Sequence, residues 1–376
     1  MGKKFQNIHK YKTNVVNLKI IVIGVTHHNT LGMVRCIGRA GYDVDYLVMT
    51  DGKKDSFVSH SRYVKKTISI KGDDCLIDTL FGIKRETSAT FVVIPCTDGA
   101  AHVLDINYEA LKNDFYFFNA GENGLMTKYM NKQVQTLFAE NAGLTVPWSK
   151  ELDNVEQDVV YPCILKPVQS INGGKQIVVC ENDQEFEVGK SSFKDGVEVL
   201  VQEFVKKESE IVVLGASTQE GITIPGYILK HREHDGGTTY SSVCDISSLP
   251  PVVLKGCKEL VSSMHYTGLF GIEFIVSKGK YYFVEINLRN DATTYALAVA
   301  GVNLPQIYIN SFVKTEHRSD NVSIKNITSI VEYNDYKHRR ESGVSLLLWL
   351  KQYVGSKCKY YFSLSDPLPF FYAPFK

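Results

Sequence analysis

A predicted β-hairpin in the C-terminal third of the sequence carries acidic, amide and basic side chains among apolar ones. Its first strand contains Glu273, and its second places Glu285, Asn287 and Arg289 at every other position. Because side chains alternate between the two faces of a strand, these last three point to one side. Mg²⁺ prefers oxygen ligands such as carboxylates, and an arginine beside them suits phosphoryl transfer, in which charge spreads over oxygens. The hairpin therefore predicts a magnesium site with Glu273, Glu285 and Asn287 as its ligands.

Three further segments share order and spacing with this hairpin, and together the four resemble the ATP-grasp superfamily over roughly residues 120–310. Residues 130–132 open a helical stretch that ends in a Gly-hydrophobic-x-x-Pro turn at residues 143–147. Residues 161–167 resemble the family's nucleotide-lysine strand, and residues 201–205 resemble its adenine hinge. Each segment alone is a weak signal, whereas the four in this order favour the family strongly.

The resemblance implies that the chain binds ATP together with two Mg²⁺ ions, for which Mn²⁺ can substitute. Lys132 and Lys166 would neutralise the α- and β-phosphates, and Glu210 would hold the ribose hydroxyls. Backbone groups of a hinge would meet the adenine, and a small-residue loop would cover the phosphates. These positions correspond here to the hinge residues Glu203, Phe204 and Val205 and the loop residues Ser170, Gly173 and Gly174.

Three basic residues are expected at the reacting groups. Lys230 would face the γ-phosphate, and Arg232 lies in a basic segment suited to an anionic substrate. Arg289 would stabilise the transferring phosphoryl group and the oxyanion that follows. The resemblance thus implies an ATP-dependent ligase that joins a carboxylate to an amine through an acyl phosphate and releases ADP and phosphate.

Within the superfamily, residues 285–291 and 301–305 look most similar to the D-aspartate ligase and carbamoyl-phosphate-synthase-like group. Carbamoyl phosphate synthesis itself is not expected, because it uses two tandem synthetase halves and this chain has length for one. Two alternatives stay open: an ATP-grasp kinase that phosphorylates a small acceptor and stops, and a non-catalytic ATP-binding regulatory protein. The acid and the amine remain unassigned.

Simpler structural roles stand beside these functional ones. Lys166, at the end of an apolar strand, could extend its ammonium to solvent. The Asn-Gly-Gly sequence at residues 172–174 could be a plain hairpin turn, and the charge run at 230–234 a solvated hairpin tip.

A second polar segment follows the first predicted strand. His27 and His28 are adjacent on an extended segment and diverge, which disfavours a zinc site. Asn29 or Thr30 is expected to cap a helix whose N-terminus can take an acceptor carboxylate. Asp98 is expected either to cap a helix or to contact substrate.

The elements that position these residues predict a mixed fold of the α/β and α+β classes. A basic arm at residues 1–17 precedes a doubly wound α/β domain over 18–118, which lacks a G-x-G-x-x-G motif and resembles a pre-ATP-grasp domain. A linker helix at 126–142 and a small nucleotide lobe follow over 119–205. The large lobe, with the metal hairpin and a C-terminal extension, occupies 206–376. In that extension, residues 346–350 predict a buried helix, and the aromatic end is expected to pack back onto a lobe.

Composition fits a cytoplasmic enzyme. The net charge of +1 gives no basic footprint for nucleic acid, and no stretch reaches the ~20 apolar residues of a membrane span. The eight cysteines include no C-x-x-C pair and favour reduced thiols. Small-molecule carboxylate and amine substrates are expected as partners, with neither nucleic acid nor membrane, and a homodimer stays open.

Overall fold

The computed structural model describes residues 17–49, 56–155, 159–168, 177–194, 196–234, 236–313 and 324–373. The predicted phosphate-loop residues Ser170, Gly173 and Gly174, and all but the last residue of the predicted N-terminal arm, lie outside these ranges. Within them the chain forms three sheets, of five, four and seven strands.

The five-stranded sheet is parallel throughout, with strand order β3-β2-β1-β4-β5. Ile20 and Val22 of its central strand join one apolar core, whereas Ile21 and Ile23 join another on the opposite face. Apolar residues on both faces are what a sheet covered by helices on both sides requires. The predicted doubly wound domain is therefore confirmed. Its elements are β1 (Leu18–Gly24), α1 (His28–Arg39), β2 (Val44–Met49), β3 (Val64–Ile70), α2 (Asp74–Arg85), β4 (Thr90–Pro95), α3 (Asp98–Ile106), α4 (Tyr108–Leu111) and β5 (Phe115–Phe117).

The linker is two helices, α5 (Leu125–Tyr129) and α6 (Lys132–Asn141), so the prediction of one continuous helix is wrong. Asn131 causes the break, because its side-chain oxygen accepts the N–H groups of Gln133 and Val134 at 2.9 and 3.2 Å. An asparagine that satisfies two unpaired donors starts a new helix rather than continuing the old one. Lys132 consequently occupies the first helical position.

The four-stranded sheet has the order β6-β9-β7-β8. Strand β7 begins only after Pro162, which has no N–H for the strand ladder. The sequence did not predict the helix that follows β8. The elements are β6 (Ser149–Glu151), β7 (Cys163–Pro167), β8 (Val178–Cys180), α7 (Asp183–Lys190) and β9 (Val199–Glu203).

The seven-stranded sheet has the order β14-β13-β10-β11-β12-β15-β16, antiparallel except at β15-β16. The predicted metal hairpin lies at one edge of this sheet. The elements are β10 (Ser209–Thr218), β11 (Gly221–His234), β12 (Gly237–Asp245), α8 (Pro251–Ser263), β13 (Gly268–Ser277), β14 (Lys280–Asn287), α9 (Thr294–Ala300), α10 (Leu304–Asn310), β15 (Ile327–Ile330), α11 (Glu332–His338), α12 (Leu346–Gly355), β16 (Cys358–Lys359) and α13 (Leu368–Tyr372).

The C-terminal extension packs against both the large lobe and the N-terminal domain. On the lobe, β16 pairs with β15, and the Tyr333 hydroxyl of α11 donates to the Phe370 carbonyl at 2.8 Å. The guanidinium of Arg35 lies 2.9 Å from the Asp366 carboxylate, both are almost fully buried, and Arg35 also donates to the carbonyls of Tyr360 and Tyr361. The prediction that residues 346–350 are buried is wrong, because four leucines of α12 are exposed and only Trp349 is buried. None of the described helices is long and apolar enough to cross a membrane.

Candidate active site

A tight turn and a shift in register together determine which residues of β13 and β14 face each other. Lys278 and Gly279 both have positive φ, 50° and 73°, which is the backbone of a two-residue turn that matches the twist of the flanking strands. This turn pairs Ser277 with Lys280, a register that by itself would place Val284 opposite Glu273. A one-residue shift in register between Glu273 and Phe274 places Glu285 opposite Glu273 instead. Two carboxylates thus face each other across the strand pair, as the hairpin prediction requires.

Lys230 of β11 lies at the centre of a carboxylate cluster. Its ammonium contacts Glu273 at 2.9 Å and Glu233 at 3.2 Å, and it also donates to Glu210 of the neighbouring strand. Lys207 completes the cluster with contacts to Glu210 and Glu233 at 2.9 and 2.8 Å. Both oxygens of Glu210, the residue expected at ribose, are therefore engaged by lysines. The sequence did not identify Lys207 and Glu233 as site residues, because nothing distinguishes them from the other charged residues of their segments.

Burial and neighbouring charges shift the pKa values of Glu273, Glu210 and Lys230 in different directions. Burial raises the pKa of Glu273 to about 7; Lys230 opposes that rise, and repulsion from Glu285 adds to it. Burial alone would raise the pKa of Glu210, but attraction to Lys230 and Lys207 outweighs it and lowers the value. Burial would likewise lower the pKa of Lys230, yet its three carboxylates raise it above the usual range. A cation between Glu273 and Glu285 would therefore offset the repulsion between their carboxylates.

Asn287 and Arg289 continue the polar row toward the N-terminal domain. The Asn287 amide donates to Glu273 at 3.2 Å, and its oxygen accepts from Arg289 at 3.2 Å. Arg289 donates to the Asp98 carboxylate at 2.6 Å, across 191 residues of sequence. Burial would lower the pKa of Arg289, but Asp98 raises it. The cap of α3 is Thr97, so Asp98 is not the cap and instead holds the arginine.

Two lysines approach the hairpin from the linker and the small lobe. Lys132 lies 3.6 Å from Glu285, and Lys166 donates to Gln202 at 2.8 Å. Burial is the main reason that the pKa of Lys166 falls to about 8, and repulsion from Lys132 adds to the effect. The sequence did not single out Gln202, which is diagonal to Lys166 on the same face of β7 and β9. Both predicted phosphate lysines are therefore close enough to influence each other and Glu285.

Other predicted site residues lie apart from this row. Arg232 holds the Asp335 carboxylate with two donors, at 2.9 and 2.7 Å, and it contacts no member of the carboxylate cluster among the described residues. The Glu203 side chain accepts from the Trp148 N–H at 3.3 Å, and the Phe204 N–H donates to the Pro162 carbonyl. Val205 is half-buried.

The start of α1 faces the same region from the N-terminal domain. His27, not Asn29 or Thr30, caps this helix by accepting the Asn29 N–H at 3.2 Å, so the predicted cap is wrong. Burial lowers the pKa of His27 to about 4, and the Arg289 charge adds to that effect. Asn29 accepts from the Asn290 amide and donates to the Cys96 carbonyl at 3.0 Å. Buried amides thus join the two domains beside Arg289.

Comparisons with known proteins find an ATP-grasp domain and related enzymes. The family model of the ATP-grasp domain matches residues 143–303. A formate-dependent phosphoribosylglycinamide formyltransferase of Wolinella succinogenes is 26% identical over 247 residues, which cover 62% of this chain and 60% of the relative. A second enzyme of that description, from a Sulfurovum species, is 30% identical over 48% of this chain and 49% of its own length. The chain thus spans between about half and three fifths of these curated relatives.

Solved structures show the same fold at low sequence identity. The crystal structure of an N5-carboxyaminoimidazole ribonucleotide synthetase with ADP matches with a TM-score of 0.66 at 16% identity, over 87% of this chain and 85% of that one. An L-amino acid ligase of Bacillus licheniformis matches with a TM-score of 0.63 at 15% identity, over 83% and 79% of the two chains. Residues 143–303 therefore match the ATP-grasp domain, and the fold of the chain is similar to the folds of these two enzymes.

Proposed function

We propose that the protein is an ATP-dependent ligase that joins a small-molecule carboxylate to an amine. One observation carries the proposal: Glu273, Glu285, Asn287 and Arg289 follow one another on a single hairpin, with Lys230 and Lys132 in contact with its two glutamates. Oxygen ligands, phosphate-binding cations and a partly buried arginine are together the groups that phosphoryl transfer requires.

In this proposal, lysine side chains, one backbone segment and one glutamate bind the nucleotide. Lys132 and Lys166 would contact the ATP phosphates, and the segment at Glu203, Phe204 and Val205 would meet the adenine through its backbone. Glu210 would hold the ribose hydroxyls, and Lys230, which donates to Glu210, would face the γ-phosphate. Arg232 would steer an anionic substrate only after release from Asp335.

The donor set fits Mg²⁺. Two facing carboxylates and an amide oxygen are hard oxygen donors, and burial together with repulsion from Glu285 raises the pKa of Glu273 despite the contact with Lys230. Glu273, Glu285 and Asn287 would hold the ions, which would supply neutralisation of the phosphate oxygens. Mn²⁺ would serve in their place.

The reaction would proceed in two displacements. A carboxylate oxygen of the acid attacks the γ-phosphorus, the bond to the β-bridging oxygen breaks, and ADP leaves with that electron pair. The amine then attacks the acyl carbon, the acyl–oxygen bond breaks, and phosphate leaves as the nitrogen loses a proton. Arg289 would stabilise the charge on the phosphoryl oxygens and then on the oxyanion of the second step.

The acceptor would bind where Asp98, Asn29 and Asn290 meet Arg289, at the junction of the two domains. The relatives named above use phosphoribosylglycinamide or an amino acid, and neither is assigned to this chain. All eight cysteines are free, which supports a cytoplasmic enzyme. A homodimer is compatible with this proposal but is not needed by it.

The test is ADP release over a panel of acids and amines, with mass spectrometry of the products. An amide product is expected, with Glu285→Gln as the inactive control and Glu259→Gln, an exposed glutamate of α8, as the matched active one. A stable phosphorylated product would instead identify a kinase. ATP binding without turnover by any pair would identify a regulatory protein.

A further inference from the structure

Helix α12 turns an apolar face to solvent. Leu347 is 81% exposed and Val354 is 77% exposed, and Leu350 between them is 43% exposed. Positions i, i+3 and i+7 of a helix share one face, so these three side chains form a single outward stripe. The opposite face holds Trp349, which is buried against Tyr336 and donates to Asp335 at 2.9 Å. A surface helix normally places polar residues where α12 places these three.

The stripe belongs to a wider concentration of exposed apolar side chains in the C-terminal extension. Half of the large apolar side chains exposed in the described chain lie within residues 336–372. Scattered exposed leucines need no explanation, but a contiguous patch marks an interaction site. The exposed apolar face of α12 is therefore a candidate surface for a binding partner.

Charge indicates what that partner is. Lys351 is exposed and lies four residues after Leu347 and three before Val354, so it borders the stripe on the same side of the helix. The Lys359 ammonium caps the end of α12, donating to the Ser356 carbonyl at 2.6 Å. Within residues 336–373, the exposed acid is Glu341, and the exposed bases are Lys337, Arg340, Lys351 and Lys357.

We propose that α12 attaches the protein to an anionic membrane surface. The helix would lie flat in the interface, with Leu347, Leu350 and Val354 at the level of the acyl chains and Lys351 and Lys357 among the headgroup phosphates. A leucine-rich face bordered by lysines is the composition of interfacial helices. Lysine stems reach outward from an apolar face to place their charge in the headgroup layer. This mode needs no spanning segment.

A second copy of the chain fits less well. The stripe and its neighbouring leucines expose on the order of 500 Å² of apolar surface, whereas a stable protein interface needs about 800 Å² on each partner. A two-fold contact would also bring the basic border of one copy against that of the other, and like charges in such contacts are unfavourable. A bilayer requires no shape complementarity and supplies the opposite charge.

Co-sedimentation of the full-length protein with vesicles tests the proposal. We expect binding to vesicles of phosphatidylcholine with added phosphatidylglycerol, weaker binding to phosphatidylcholine alone, and loss of binding at high salt. The double variant Leu347→Ser/Val354→Ser should bind on the order of tenfold less, and so should Lys351→Glu/Lys357→Glu. Val252→Ser, which changes a 67% exposed valine of α8, is the matched control and should bind as the wild type does.

Three results would overturn the proposal: no binding to anionic vesicles, equal losses in the control and in the α12 variants, or a dimer in sedimentation velocity that Leu347→Ser/Val354→Ser dissociates. The last would assign the face to a second copy. If the serine variant fails to fold, the lysine variant, whose substitutions are at exposed positions, carries the test. The readout does not depend on ligase turnover.

Discussion

Raising the pH from 7 to 9 should weaken ATP binding through Lys166. In the free protein, burial first and then Lys132 hold the pKa of Lys166 at about 8, against 10.5 for an ordinary lysine. That difference corresponds to about 3 kcal/mol by which the folded protein disfavours the ammonium form. ATP phosphates beside Lys166 would supply the missing partner and return its pKa to an ordinary value.

The size of the effect follows from the fraction of protein in which Lys166 is charged. With a pKa of about 8, that fraction is about nine tenths at pH 7 and about one tenth at pH 9. If ATP binds the charged form, its dissociation constant should rise about tenfold over this range. At pH 9 each binding event should take up nearly one proton, because bound ATP restores the ammonium.

Isothermal titration calorimetry in buffers of different ionisation enthalpy measures both quantities. Lys166→Arg, whose guanidinium stays protonated, should show neither the pH dependence nor the proton uptake. Lys166→Met should bind more weakly at every pH, again without proton uptake. An affinity of the wild type that stays constant from pH 7 to 9, with no proton uptake at pH 9, would refute the placement of Lys166 at phosphate.

Three further predictions concern the site and the fold. Glu285→Gln should reduce turnover ~10²-fold or more at saturating ATP and Mg²⁺, whereas Glu259→Gln should not; wild-type rates in the former would remove the metal assignment. Arg289→Ala should bind ATP nearly normally in calorimetry and fail in single-turnover assays, because its charge acts as the transition state develops; lost ATP binding would contradict that role. Asp366→Asn should lower the free energy of unfolding by about 3–5 kcal/mol in urea denaturation, because it leaves the buried Arg35 charge without its counter-ion; an unchanged midpoint would show that the pair contributes little.

The structural features that the sequence predicted depend on residues that are close together in the chain. Alternation along β14 predicts which of its side chains share a face, and the Lys278–Gly279 turn is a local signal for the hairpin. The register shift that places Glu285 rather than Val284 opposite Glu273 does not follow from either signal. The apolar runs of β1 and β4 predicted a sheet with two covered faces. Asn131 shows the limit of this approach, since the apolar spacing continued through it and hid its role as a helix cap.

Partners distant in sequence could not be predicted. Asp98 reaches Arg289 across 191 residues, and Asp335 reaches Arg232 across 103. Arg232 lies in a charged segment that is compatible either with exposure to solvent or with binding of a substrate. Only the folded chain shows that Asp335 of α11 is its counter-ion. The leucines of α12 are of a type common in protein cores. Whether they are buried depends on whether another element covers them, and composition alone does not show that.

Isotope transfer tests the central claim most directly. The acid substrate identified in the product screen would be labelled with ¹⁸O in its carboxylate, and the phosphate released during amide formation would be analysed by mass spectrometry. Passage through an acyl phosphate predicts one ¹⁸O atom in the phosphate for each amide formed, because the attacking carboxylate oxygen leaves with phosphorus. Unlabelled phosphate, or label found in AMP, would contradict a ligase that works through γ-phosphoryl transfer.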